Sequence, residues 1–260
     1  MANNTPKICL LDIETSPLIS YLWGTYQQNS LKILEPSKII SVAWKYLGED
    51  AVYCKSIQDY KGYKKGQIED KALIQEVWKV LDEADIVIAH HGDAFDIKKL
   101  NSRFVYHGMS APSHYQTIDT KKSASRFFKF DSNSLNNLGE YLGEGKKVEN
   151  GGFGLWLRCI AGDKQAWEDM KTYNVQDVVL LEKIYLRLRP FIANHPDLTL
   201  VSPTEKGSVK CSSCLSTDVS KRGFSHTKTG RKQRFQCNSC ASWSTGSLKR
   251  NSSEEAVSEA

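Results

Sequence analysis

The sequence predicts an α/β protein: a sheet flanked by helices, with a small separate module at its C-terminal end. Three observations predict it. Short apolar runs of strand character alternate with amphipathic segments as far as residue 190. A long helical stretch over 163–189 closes that part, and Pro190 stops it. Beyond it, four cysteines fall into two C-x-x-C pairs inside a basic segment.

The elements follow in order. Residues 7–14 (KICLLDIE) are a short run rich in Ile and Leu, which reads as a strand. Residues 38–47 and 51–57 read as a hairpin turning through Gly48, Glu49 and Asp50. Between these, the insertion 16–37 carries Tyr21, Trp23 and Tyr26. Packing on the body is the ordinary fate of such aromatics, and stacking on a base is the alternative. Residues 70–83 place Leu73, Val77, Val80 and Leu81 at helical spacing. Residues 84–90 read as a buried strand, 95–108 as a helix stopped by Gly108, and 115–120 as another strand. Helical segments follow around 121–129 and 134–142, the second capped by Ser132 or Ser134. Residues 144–154 are a polar, glycine-rich loop without a Walker pattern. The helix over 163–189 has Trp167, Met170, Val178, Leu181, Ile184, Tyr185 and Leu188 as its apolar side. These signals divide the chain into a domain over 1–193, a linker over 194–209, a module over 210–247 and a disordered tail over 248–260.

Composition bounds the function classes. A hydrophobic share of 40% and a charged share of 25% are those of an ordinary globular protein. No apolar run approaches the ~20 residues of a membrane helix. The first residues lack the charged-then-apolar layout of a secretory signal, so a cytoplasmic location and no membrane partner are expected. Residues 201–250 hold ten Lys/Arg against two Asp/Glu, while residues 1–200 balance at 25 of each. A neutral body with a basic module points to a polyanion at the module. Cys9, Cys54 and Cys159 read as buried free thiols.

The acidic residues carry the chemistry. Asp12 and Glu14 are two apart on a strand, so both point to one face. Two adjacent carboxylates repel unless something positive lies between them, and Mg²⁺ or Mn²⁺ suits oxygen ligands. Asp96 starts a helix after a buried strand, and Tyr173 and Asp177 are four apart on the last helix, on one face. Each alone is ordinary: a solvated strand end, a helix-dipole partner, an acidic helix residue.

Together, DIE on the first strand, FD after a later strand and YNVQD on the last helix resemble, in that order, the three exonuclease motifs of the DEDD superfamily. The tyrosine in the third motif marks one of its subclasses. The resemblance covers residues 7 to about 190 and extends to free-standing bacterial and phage relatives whose first motif also reads DIETSP. It implies a ribonuclease H-like mixed sheet and 3′–5′ hydrolysis of phosphodiesters with two Mg²⁺ or Mn²⁺. By the resemblance, Asp12 bridges both metals, Glu14 and Asp177 complete the one that activates water, and Asp96 helps hold the second. Tyr173 orients the water. Two such cations, about 3.5–4 Å apart, would neutralise charge at the attacking and leaving oxygens. One departure stands out: the family's second motif has asparagine where this chain has His91. His91 and Phe95 are substrate-side candidates. Lys121, Lys122 and Arg126 are candidate phosphate contacts, with a solvated helix face as the alternative.

Cys211-x-x-Cys214 and Cys237-x-x-Cys240 are separated by a 22-residue spacer, a pattern that suits one tetrahedral Zn²⁺ in a ribbon. Arg231, Lys232 and Arg234, interleaved with Phe224, Phe235 and Trp243, give that ribbon a nucleic-acid-binding composition, with protein binding as its rival. The expectation is therefore a 3′–5′ exonuclease acting on nucleic acid, DNA before RNA, with replication or repair proteins as partners. A 3′–5′ exoribonuclease and an inert nucleic-acid-binding adaptor are the alternatives.

Overall fold

A computed structural model describes residues 5–26, 29–147, 151–200, 202 and 209–249. The chain forms two compact units, one spanning Lys7–Tyr185, the other built from Thr5, Pro6 and the described residues beyond Tyr185.

The first unit is a five-stranded mixed sheet flanked by helices. Its central strand is β1 (Ile8–Thr15), fully buried over Ile8–Leu11. An insertion follows, folded as a hairpin of β2 (Ile19–Tyr21) and β3 (Lys32–Glu35). Then β4 (Ile39–Tyr46) returns antiparallel to β1, and β5 (Val52–Ser56) lies antiparallel to β4. Directly opposed Trp44 and Tyr53 stack with ring centroids 5.5 Å apart. Such a cross-strand aromatic pair contributes about 0.5–1.5 kcal/mol beyond its burial. Helix α1 (Lys71–Asp82) leads to β6 (Ile86–Ala89), parallel to β1, and α2 (Asp96–Tyr106) leads to β7 (Gln116–Asp119), parallel to β6. The sheet order is β5-β4-β1-β6-β7. The mixed sheet flanked by helices expected from sequence is thus observed, with the β2–β3 hairpin added to the expected elements.

Period two divides β1 between two faces. Cys9, Leu11 and Ile13 join the main core with Leu73, Ile74, Val77 and Leu81 of α1. Leu10, Asp12 and Glu14 point the other way. At the junction of α1, α2 and β4, buried Asp70 accepts from Arg103 Nε at 2.7 Å, Arg103 Nη2 at 2.6 Å and Ile39 N at 3.1 Å, and contacts His107 Nε2 at 2.8 Å. Glu69, Asp70 and His107 lie close enough together to suggest a cation, but Arg103 already fills that place. Gly108, at φ +67°, takes the left-handed position after α2, as its sequence signal required.

The helices α3 (Thr120–Phe127) and α4 (Leu135–Leu142) follow, and Ser134, not Ser132, caps α4 by accepting from Asn137 N at 3.3 Å. The loop expected over 144–154 is cut short. Helix α5 (Phe153–Ile160) starts inside it, with Gly152 at φ +65° before its first turn. Helix α6 (Lys164–Leu188) completes the unit, and Lys45 ties it to β4 through Glu182 at 2.7 Å. Cys9 and Cys159 are buried, whereas Cys54 is half-buried.

In the second unit, Leu198–Leu200 is a 3₁₀ turn inside the span expected as linker. Leu198 is buried, and its N–H donates to Ser212 O at 2.8 Å, so this part is structured. The antiparallel strands β8 (Val219–Thr227), β9 (Gly230–Cys237) and β10 (Trp243–Lys249) form a sheet of order β10-β9-β8. β10 takes in residues 248 and 249, which the sequence placed in the tail. The rest of that tail lies outside the described residues.

Candidate metal centres

Three separate elements bring the acidic residues together. β1 presents Asp12 and Glu14 on one face, α6 presents Tyr173, Asn174 and Asp177, and the start of α2 presents Asp96. Oxygens of Asp12, Glu14 and Asp177 lie within 4.8 Å of one another. Asp96 is not part of that tightest set. Its Oδ1 accepts from Ile13 N at 3.3 Å, which holds it against the strand residue between the other two carboxylates.

Two residues that sequence reading missed complete the cluster. Buried Asn174 donates from Nδ2 to Asp12 Oδ2 at 2.6 Å, and its Oδ1 accepts from Ser41 Oγ at 2.9 Å. Lys147 donates from Nζ to Asp177 Oδ2 at 2.5 Å and to Tyr173 Oη at 3.0 Å. Asn174 had a signal, its place inside the YNVQD motif; Lys147 had none, being one lysine of a polar loop. Trp156 of α5 packs edge-on against Tyr173, with centroids 6.1 Å apart, and hydrogen-bonds Glu14.

Burial and mutual repulsion raise the carboxyls of this cluster together. Burial, then the charges of Asp96, Asp177 and Glu14, raises the Asp12 carboxyl well above the usual range. Burial and Asp177 push Glu14 up to about 8. Burial lifts Asp96 to about 7 against the N–H groups that bond it, and lifts Asp177 against the pull of Lys147. Burial and the Asp177 charge raise Tyr173 to about 12, so its hydroxyl keeps its proton. Carboxylates at such spacing, buried at Asp96 and Asp177 and half-buried at Asp12 and Glu14, fit hard divalent cations, which would return all four to the ionised form.

The second motif has a backbone explanation for its unusual residue. His91 sits at φ +70°, in the left-handed region. Asparagine and histidine are both among the residues that tolerate it. The turn is clamped by Asp119, whose Oδ1 accepts from His91 N at 3.0 Å and whose Oδ2 accepts from Asp93 N at 3.3 Å. The next residue must be glycine for another reason: a Cβ on Gly92 would meet Ala89 Cβ at 2.4 Å. The side chains of His91 and Phe95 are exposed, Phe95 at 45%.

The other candidates are placed less simply. Lys122 pairs with Asp93 at 2.9 Å, Arg126 lies over the Phe127 ring at 5.3 Å, and Lys121 stands near half-buried His90. These contacts run within α3 and the second-motif turn, and none of them reaches the carboxylates. The insertion does not pack on the body through its aromatics: Trp23 is 88% and Tyr26 86% exposed. The expected packing is therefore corrected. These side chains stand on an arm rooted where Ser16 and Lys38 exchange hydrogen bonds of 2.8 and 2.9 Å, two residues beyond Glu14.

The four C-terminal cysteines converge in the second unit. Their Sγ atoms lie within 4.8 Å of one another, with Cys211–Cys240 and Cys214–Cys237 both at 3.6 Å. A tetrahedral Zn²⁺ with Zn–S of about 2.3 Å needs S···S edges of about 3.8 Å, so the group fits that ion. The two C-x-x-C turns are built alike. Leu215 N donates to Cys211 O at 2.9 Å and Ala241 N to Cys237 O at 3.0 Å, and both donors have left-handed backbones, at φ +63° and +62°.

The solved structure of the family B DNA polymerase from the hyperthermophilic archaeon Pyrobaculum calidifontis resembles this chain with a TM-score of 0.51 at 15% identity. The similarity covers 76% of this chain and 26% of the polymerase, so the likeness concerns about a quarter of that protein's length and the fold alone. No curated protein matches the sequence. The RNase H superfamily profile matches residues 46–189, a span that contains Asp96, Tyr173 and Asp177 and begins after Asp12 and Glu14. A match over more than half of the chain, on a mixed sheet of order β5-β4-β1-β6-β7, shows that the chain belongs to the RNase H superfamily.

Proposed function

We propose that this protein is a metal-dependent 3′–5′ exonuclease of the tyrosine subclass that removes nucleotides from the 3′ end of single-stranded DNA. The observation that carries the reading is the convergence of Asp12, Glu14, Asp96 and Asp177 with the protonated Tyr173 hydroxyl. Held by those carboxylates, two Mg²⁺ or Mn²⁺ would supply an activated water and charge neutralisation at the phosphate. The four cysteines would hold one structural Zn²⁺.

The chain's own groups do the remaining work. Tyr173 stays protonated and is fixed by Lys147 and Trp156, so it orients a water rather than removing its proton. The Lys147 ammonium offsets the Asp177 charge and would meet a phosphate oxygen of a bound strand. Asn174 fixes the orientation of Asp12. The exposed aromatics of the β2–β3 arm offer bases a stacking surface beside the first motif.

The test uses 5′-labelled single-stranded DNA, duplex DNA and RNA with Mn²⁺ or Mg²⁺. The expected result is a ladder shortening from the 3′ end of single-stranded DNA, with Asp12→Ala slower by at least about 100-fold. Mn²⁺ at about 100 times its Kd should also stabilise the wild type by roughly 2.7 kcal/mol, and Asp12→Ala much less. Equal cleavage by both proteins would sink the proposal. A preference for RNA would replace the substrate class while keeping the site.

A further inference from the structure

We infer that one face of the C-terminal three-stranded sheet is a binding site for single-stranded nucleic acid, with Trp243 as the stacking platform and Arg234 and Lys232 as the groups that meet phosphates. The inference is independent of the hydrolytic reading, because it concerns binding by the second unit.

Register separates the two faces of this sheet. Residues directly opposite on paired strands project to the same side. Trp243 and Ser220 oppose Gln236, Thr245 opposes Arg234, and Ser225 opposes Lys232. Lys232, Arg234 and Trp243 therefore share one face with three hydroxyl side chains. Arg231 lies on the other face, opposite His226 and on the side of Phe224. The three basic residues that the sequence groups together are thus split two to one. The Arg231 face also carries Cys237 opposite Val219, so at that end it turns toward the cysteine cluster. The Trp243 face has no cysteine ligand on it.

The composition of the Trp243 face names its partner. From Val219 to Lys249 there are seven Lys/Arg and no Asp/Glu. Among the described residues, no ion pair involves Lys232 or Arg234. Their charge is left for an external anion. Trp243 is 50% exposed, and the Arg234 guanidinium lies 5.6 Å from its ring centroid, which holds the indole while leaving ring surface open. On the other face, Arg231 covers Phe224 more closely, at 4.6 Å, and Phe224 is 38% exposed. Lys232 and Arg234 stand two residues apart on one strand, about 6.8 Å, a step comparable to that between successive phosphates of an extended strand. Stacking on an exposed indole requires unpaired bases. Cations in register beside an aromatic platform are the arrangement of single-strand binding.

The experiment uses the full-length, zinc-loaded chain in an Asp12→Ala background, so that the probe is not hydrolysed. A fluorescein-labelled oligo-dT and a duplex of equal length are titrated by anisotropy at several salt concentrations, and zinc content is measured for every variant. Trp243→Ala should weaken oligo-dT binding by roughly 5- to 150-fold, with Trp243→Phe recovering most of it. Lys232→Ala with Arg234→Ala should flatten the log–log salt dependence by about 1.4, or about 0.7 for each phosphate no longer neutralised. Phe224→Ala with Arg231→Ala, of the same chemistry on the opposite face, should change stacking-dependent affinity by less than threefold. Three results overturn the inference: zinc-replete Trp243→Ala binding as tightly as its parent, the opposite-face variant losing as much, or duplex binding as tightly as single strand.

Discussion

Asn174 uses both ends of its amide inside the protein, accepting from Ser41 and donating to Asp12. Burial makes each of these bonds consequential, since an abandoned buried polar group costs about 1–3 kcal/mol. The two partners separate stability from chemistry. Ser41→Ala removes the outer bond to Asn174, together with a 3.6 Å contact to Cys54 Sγ, and should leave kcat within about twofold. Asn174→Ala frees the Asp12 carboxylate and should lower kcat by roughly 10- to 100-fold with little change in KM, the range for outer partners of metal ligands. Steady-state kinetics on both variants decides the matter; an unchanged kcat in Asn174→Ala removes its positioning role. At this scale the carboxylates were legible because each sits at a motif spacing. Lys147 was not, because nothing local marks it and only the folded chain brings it to Asp177 across thirty residues. His91 was legible as a departure but not as a cause, since its φ of +70° is invisible in composition.

At the scale of elements, the strands of the main sheet and helices α1, α2 and α6 were legible because period and turn residues agreed. Helix α5 was hidden by the glycines before it and by its length of eight residues. The β2–β3 arm was hidden for the opposite reason. Its apolar residues suggest burial, yet Leu18, Ile19, Tyr21, Leu22, Trp23, Tyr26, Leu31, Ile33 and Leu34 are all at least 46% exposed. A two-stranded hairpin is only marginally stable in water, so this arm relies on its root at Ser16 and Lys38. Trp23→Ala with Tyr26→Ala should therefore change unfolding free energy by no more than about 0.5 kcal/mol, as for exposed sites generally. If the arm stacks on substrate, the same variant should raise KM for single-stranded DNA several-fold at constant kcat. A fall in Tm of many degrees would show instead that the aromatics are packed, and an unchanged KM would remove them from substrate binding.

The two units differ in how much their side chains bury. Residues 7–185 share one core around β1, β4 and α1, closed by large buried side chains such as Trp167 and Phe104. The second unit has a three-stranded sheet whose strands keep few side chains buried, Cys237 among them. Apolar burial on that scale does not hold a module of this size, and a structural zinc in such a module contributes its folding energy directly. The charge asymmetry of the sequence foreshadowed this division, because a basic segment poor in large aliphatic residues needs another source of order. If the four cysteines hold the proposed zinc, removing it with a chelator should act on one unit only. Amide exchange should accelerate across β8, β9 and β10, and one equivalent of zinc should be released. Amides of β1, β4 and β6 should keep their protection, and the main thermal transition should stay in place. Cys211→Ser should reproduce the first change without a chelator. If β8–β10 kept full protection after stoichiometric zinc loss, the ribbon would be folded by its side chains, and the cysteine cluster would be bound to metal for some other purpose.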